Sequence, residues 1–216
     1  IENKFGDILL NDYSGSMDLF LSNGNLKAQN LSGKLNLTLN FADATVNEIR
    51  QGRLDCNYSD IIVRKAGSLQ IISKSSDIEI YEIQYLSTDS RRDKYQIRKI
   101  YKMDARGSFS NFRIEELSGQ LSARTEYGNL NADRILPEFI NVVADSRSTN
   151  LTLSFHPDSD FGFEVTTTKT NLWLTGEAVI KKEETLNEKE ERKKISGTLG
   201  NKNSKNNKLI INAVSG

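Results

Sequence analysis

Cysteine, histidine and tryptophan each occur once in this chain, and proline twice. Each scarcity excludes something. One cysteine, Cys56, allows no internal disulfide and no cysteine-based zinc site. One histidine, His156, removes most metal-ligand sets and catalytic triads. No apolar run reaches the roughly 18 residues of a membrane-spanning helix. No excess charge of either sign exists, because 29 basic residues balance 29 acidic ones. That balance argues against a nucleic-acid partner held through its phosphates. Walker, Rossmann and HExxH motifs are all missing. No catalytic residue, metal ligand or cofactor is therefore assigned, and the expectation is a protein that is not an enzyme.

What is present is strand periodicity. Leu35, Leu37, Leu39 and Phe41 alternate with Asn36, Thr38 and Asn40. The same period of two recurs at Met17–Leu21, Leu69–Ile71, Ile78–Ile80, Leu151–Phe155, Phe161–Val165, Leu172–Leu174 and Leu209–Ile211. Such alternation buries one face and wets the other.

The strands also repeat. Phe5-Gly6-Asp7-Ile8, Asn23-Gly24-Asn25-Leu26, Phe41-Ala42-Asp43-Ala44, Tyr58-Ser59-Asp60-Ile61 and Ser75-Ser76-Asp77-Ile78 start 17 or 18 residues apart. A further copy stands at Tyr127-Gly128-Asn129-Leu130, and Leu31-Ser32-Gly33 is echoed by Leu117-Ser118-Gly119. A short fixed period marks stacked repeats, in which no rung buries its own apolar face but a stack does. The spacing predicts an all-β, single-stranded β-helix or β-solenoid with rungs of about 18 residues, coiled right-handed, with longer strands in its C-terminal part. It reads as one domain, 1–216. Regular rungs fill 1–86, an insertion 87–105, and further rungs 106–180. A charged loop spans 181–194 and terminal strands 195–216. Within the insertion, Ser87–Lys94 reads as a polar turn and Tyr95–Tyr101 as a strand with a basic face. Lys181–Lys194 carries six basic and five acidic residues and reads as a solvated loop or extended hairpin. Gly200–Asn207 reads as a polar turn.

The repeated acids Asp7, Asp43, Asp60 and Asp77 would stack into a ladder. Stacked carboxylates suit calcium, or the paired acids of a glycan-cleaving enzyme. Turn chemistry is preferred, because Asn25 and Asn129 occupy the same slot and Asp and Asn both bond nearby backbone. An enzyme would need Asp43, Asp60 and Asp77 in an open cleft beside a base such as Arg64. The periodic rings Phe5, Phe41, Tyr58 and Tyr127 are expected to pack in the core or cap a corner, with a sugar-binding stack as the other reading. Tyr81, Tyr85, Tyr95 and Tyr101 are the candidate exposed ligand face, since tyrosine offers contact area at low entropic cost. Cys56 reads as a small core residue and His156-Pro157 as a turn. Sequons at Asn30, Asn36, Asn57 and Asn150 match chance in an asparagine-rich chain.

Asn3-Lys4-Phe5-Gly6-Asp7-Ile8, Tyr58-Ser59-Asp60-Ile61 and Glu126-Tyr127-Gly128-Asn129-Leu130 resemble the repeated N-x-[FY]-G-[DN]-[IVL] element of a bacterial adhesin family, a domain of unknown function in Gram-negative organisms. Leu209–Gly216 is similar to that family's recurrent final strand. The resemblance implies a secreted or envelope-associated β-solenoid without catalytic residues, reaching the periplasm or outer surface after removal of an N-terminal signal. The expected partner is a protein or glycan surface ligand bound along a flat solenoid face. A structural or regulatory periplasmic module is the alternative, with end-to-end self-association through the open solenoid end.

Overall fold

A computed structural model describes residues 1–176, 178–200 and 207–215. The chain is all-β, with no helix among the described residues, and coils into a solenoid of about nine turns. Its strands are β1 (Glu2–Asn3), β2 (Ile8–Leu10), β3 (Met17–Ser22), β4 (Asn25–Asn40), β5 (Asp43–Asn57), β6 (Asp60–Lys74) and β7 (Asp77–Arg91). They continue as β8 (Lys94–Ser108), β9 (Asn111–Ile135), β10 (Asn141–Phe155), β11 (Phe161–Thr168), β12 (Ala178–Asn187), β13 (Arg192–Leu199) and β14 (Lys208–Val214). From β3 to β10 each strand pairs in parallel with the next.

The inward positions explain why 17 residues close one turn. Through β6 they are Ile61, Val63, Ala66, Leu69, Ile71, Ser73 and Ser76, and the next turn opens at Ile78. The gaps run two, three, three, two, two, three and two. A gap of two is ordinary strand alternation. Each gap of three is a bend, where the chain turns around the core before alternation resumes. The next turn repeats the pattern at Ile78, Ile80, Ile83, Leu86, Thr88, Ser90 and Asp93.

Equivalent positions therefore stack into columns, and neighbours in a column share the available space. One column runs Ile61, Ile78, Tyr95, Phe112. Another, across the core, runs Ser73, Ser90, Gly107. The large Tyr95 is met by small Ser73 and Thr88, whose hydroxyls lie 2.7 and 2.6 Å from its phenol oxygen. Phe112 fills the place a side chain at Gly107 would occupy, for a Cβ there would come to 2.5 Å from the Phe112 ring. Register is further marked outside by Glu48, Lys65, Glu82, Lys99 and Glu116, aligned in alternating charge down successive strands. A slipped register would set like charges side by side.

Residues 87–105 are not an insertion. They complete β7 and most of β8, in unbroken 17-residue register with the rungs on either side. Ser87–Ser90 looks like a turn by composition, but Thr88 and Ser90 point inward toward Tyr95 and Asp93. Tyr95–Tyr101 is a strand, as its alternation predicts, with Arg98 and Lys99 outside.

The C-terminal part departs from the repeat. The left-handed residues Tyr127, Ser148 and Lys169 are 21 apart. The added residues form turns at Leu136–Phe139 and His156–Ser159, each closed by a bond from the fourth residue to the first. Both prolines, Pro137 and Pro157, take the second place in these turns, where a fixed φ is an advantage. The strands beyond Phe155 are shorter than the rungs, contrary to the expectation of longer ones. Leu172–Leu174 forms no strand at all. β14 inserts in parallel between β10 and β11, and β13 and β12 close the sheet as an antiparallel hairpin. The charged stretch 181–194 is that hairpin, in agreement with the extended-hairpin reading. The polar turn predicted at 200–207 falls mostly on 201–206, outside the described residues.

Candidate functional site

The repeated motif builds one corner of the solenoid. Its first residue adopts the left-handed conformation in nearly every turn: Asn23, Phe41, Tyr58, Ser75, Arg92, Phe109 and Tyr127 all have φ between 52° and 61°. They form a continuous row, since Phe41 N–H donates to Asn57 O, Tyr58 N–H to Lys74 O, and Ser75 N–H to Arg91 O. Left-handed backbone is rare for bulky residues. Such a placement costs on the order of 1–3 kcal/mol.

The second motif residue turns inward and caps the corner. Ser59 Oγ accepts from Ala42 N–H, Ser76 Oγ from Ser59 N–H, Asp93 Oδ1 from Ser76 N–H, and Ser110 Oγ from Asp93 N–H. Each serine hydroxyl donates back to a carbonyl two residues earlier. The corner amides, which the ladder would leave unpaired, are thus satisfied rung by rung. At Gly24 and Gly128 the backbone comes so close that a Cβ would meet a carbonyl oxygen at 2.0 Å, which is why glycine stands there. Asp93 is 3% exposed, and its Oδ2 accepts from Ser73 Oγ, Ser90 Oγ and Arg91 N–H.

Because the first motif residue sits on this bend, its side chain leaves the core. Phe41 and Tyr58 are 60% and 47% exposed and stack with centroids 4.9 Å apart and planes 2° from parallel. Phe109 and Tyr127 form a second exposed pair at 4.9 Å and 11°. Phe5 is also exposed. The expectation of core packing for these rings fails; the corner placement holds. Phe109 was not legible as a motif residue, because Phe109-Ser110-Asn111-Phe112 ends on an aromatic rather than an aliphatic residue. Continuing the 17-residue step from Ser75 through Arg92 would have reached it.

The third motif residue forms an outer row: Asp7, Asn25, Asp43, Asp60, Asp77, Lys94, Asn111, Asn129, Asn150. Asp7 accepts from the backbone and side-chain amides of Asn25, which hold its carboxyl below the usual carboxylate range. Asn129 donates to Asn111, and Asn150 to Asn129. These bonds join rungs, rather than tying each residue to its own turn. Asp60 and Asp77 line an open depression of about 190 Å³ with Glu79, Lys94 and Gln96, and Lys94 pairs with Asp77 at 3.4 Å. Arg64 lies elsewhere, 5.8 Å from the Tyr81 ring centre. Among the described residues, no group of three acids, histidines or cysteines is placed to hold a metal ion.

The four candidate tyrosines do not form one face. Tyr95 is fully buried, because its position continues the inward column of Ile61 and Ile78, and burial drives its phenol pKa far up. Tyr81 is half-buried, with the Arg98 guanidinium 3.9 Å from its ring centre. Tyr85 donates to Asp104 at 2.9 Å and is flanked by Lys102; partial burial and then Asp104 raise its pKa. Tyr101 is exposed on another bend, above Gly119. Cys56 is fully buried, and that burial raises its thiol pKa well above the ordinary value. His156 Nδ1 accepts from Asp158 N–H, as a turn residue does.

Compared with protein-family models, curated proteins and solved structures, the chain matches none. Its function has to be argued from this geometry.

Proposed function

We propose that this chain is a non-enzymatic binding protein of the cell envelope or cell surface, adhesin-like as its repeated motif implies, and that its left-handed corner is the edge presented to a macromolecular partner. A stack of parallel rungs is a rigid rod, and rods suit extended partners. The observation that carries the reading is the pair of exposed aromatic stacks at Phe41–Tyr58 and Phe109–Tyr127. Folding alone favours Asn or Gly at a left-handed corner. Ring stacking returns about 0.5–1.5 kcal/mol, no more than the conformation costs. Four large rings placed there fill no core, and they offer flat apolar faces to a ligand.

The test is binding of the purified chain to an array of glycans and matrix proteins, with and without calcium. A variant carrying Phe41→Asn, Tyr58→Asn, Phe109→Asn and Tyr127→Asn is run in parallel. Binding by the wild type, lost in the variant and indifferent to calcium, supports the reading. Binding that survives in the variant, or needs calcium, moves the site off the aromatic edge and onto the aspartate row. Turnover of any glycan by the wild type would overturn the non-enzymatic assignment.

A further inference from the structure

The aromatic edge is interrupted, and the interruption is basic. Between Tyr58 and Phe109 the row holds only Ser75 and Arg92. Three rung steps separate the two rings, about 14 Å at the usual strand spacing. Each ring of a pair has one face against its partner, so the second face of Phe109 looks into this gap and the second face of Tyr58 bounds it from the other side. Lys74 leans over Tyr58, with Nζ 5.8 Å from the ring centre. Arg91 and Arg92 are exposed. Among the described residues, Lys74, Arg91 and Arg92 make no ion pair, although eleven ion pairs occur elsewhere. The acid bordering the gap, Asp77, is already paired with Lys94. A chain with no net charge thus keeps three free cations together, between two aromatic walls.

From this juxtaposition, and resting on the binding-edge reading above, we infer that the gap between Tyr58 and Phe109 seats an acidic sugar unit of an extended polysaccharide. The ligand's carboxylate lies against Arg91 and Arg92, and one face of its ring lies on Phe109. Arginine suits the role because its planar fork matches a carboxylate. The C–H face of a sugar ring suits an exposed aromatic face. The rung spacing of about 4.8 Å is close to the rise of one unit in an extended β-linked glycan, so neighbouring units can follow the row. A polymer charged on every unit fits less well. Asp43 and Asp60, beside Phe41 and Tyr58, would repel charges further along the edge. Alternating acidic and neutral sugars meet both conditions.

The experiment titrates the chain by calorimetry with hyaluronan oligosaccharides, and with neutral cello-oligosaccharides of equal length. The same titrations are run on Arg91→Gln/Arg92→Gln and on Phe109→Asn, both at exposed positions, with circular dichroism to verify folding. The expected result is binding of the acidic oligosaccharide that weakens with salt and falls at least tenfold in both variants. Equal binding of neutral and acidic oligosaccharides overturns the acidic assignment and leaves the binding edge standing. So does acidic binding that the double arginine variant leaves unchanged. If neither oligosaccharide binds while the array detects a protein partner, the glycan assignment alone falls; silence in both experiments overturns the binding-edge reading as well.

Discussion

The rungs from β4 to β9 and the region after Phe155 solve the same problem in opposite ways. In the rungs, each strand lies beside the strand that follows it in sequence, so the neighbour of every side chain is its own copy about 17 residues on. In the closing region β14 returns to lie between β10 and β11, and an antiparallel hairpin covers the end. A repeat can propagate a sheet but cannot end one, since its last strand always leaves a row of unpaired amides and carbonyls. The hairpin moves that edge to β12, whose Lys181, Lys182, Glu183 and Glu184 are exposed charges of the kind that discourage pairing with another chain. The rod is thus held by sequence-local columns, and its closure by particular long-range contacts.

This contrast can be broken at several points. The largest effect is expected at Asp93. Replacing it with alanine strands the hydroxyls of Ser73 and Ser90 and the amides of Ser76 and Arg91 inside the rungs. That should cost about 3 kcal/mol or more in a denaturant titration. Asp93→Ser, which restores the serine capping of neighbouring rungs, should recover part of the loss. Equal destabilisation by both substitutions would show that the corner ladder contributes nothing at this rung.

The opposite sign is expected in the second proline turn. Ser159 Oγ is buried and has no partner, where Phe139 fills the equivalent place one turn earlier. Ser159→Ala removes an unsatisfied hydroxyl and should stabilise by about 1–2 kcal/mol. A lowered melting temperature would refute it.

Smaller still is the effect at the edge. Phe41→Asn exchanges a ring stack for a residue at ease in left-handed backbone. Its stability should stay within about 1 kcal/mol of wild type. A larger loss would mean that the rings serve the fold rather than a ligand.

The smallest is a pH effect confined to the hairpin. The Lys194 ammonium beside Glu164 holds that carboxyl below its ordinary range. Its contribution is present above the unfolded carboxylate's pKa and lost as pH falls through the lowered one. Lys194 is raised in turn, so its share is complete below the ordinary lysine value and is lost as pH rises through the raised one. Amide exchange should therefore quicken in β13 before the rungs on acidification. Uniform quickening along the chain would sink this account.

The period was legible because Asp43, Asp60 and Asp77 are polar residues kept in step beside aliphatic ones. It was lost at Arg92-Asp93-Lys94-Tyr95, where the inward place is taken by a tyrosine whose hydroxyl is satisfied by Thr88 and Ser73. Composition marks Ser87–Ser90 as a loop, because a serine that faces a buried partner looks the same in sequence as one that faces water. The binding edge was missed for the converse reason. Phe41 and Tyr58 look like core by type, and only the backbone conformation turns them outward. Nothing local announces that β14 returns past two strands, for that contact joins residues 67 apart.

The most direct test of the whole account is the distance between two spin labels on the outer row, at Asp43→Cys and Asn129→Cys in a Cys56→Ser background. The two sites are five rungs apart when residues 87–105 form regular turns. Pulsed electron resonance should then give a narrow distribution near about 24 Å. A peak near about 14 Å would mean that those residues loop out and the neighbouring rungs stack directly, which would bring the two aromatic pairs together and abolish the basic gap between them.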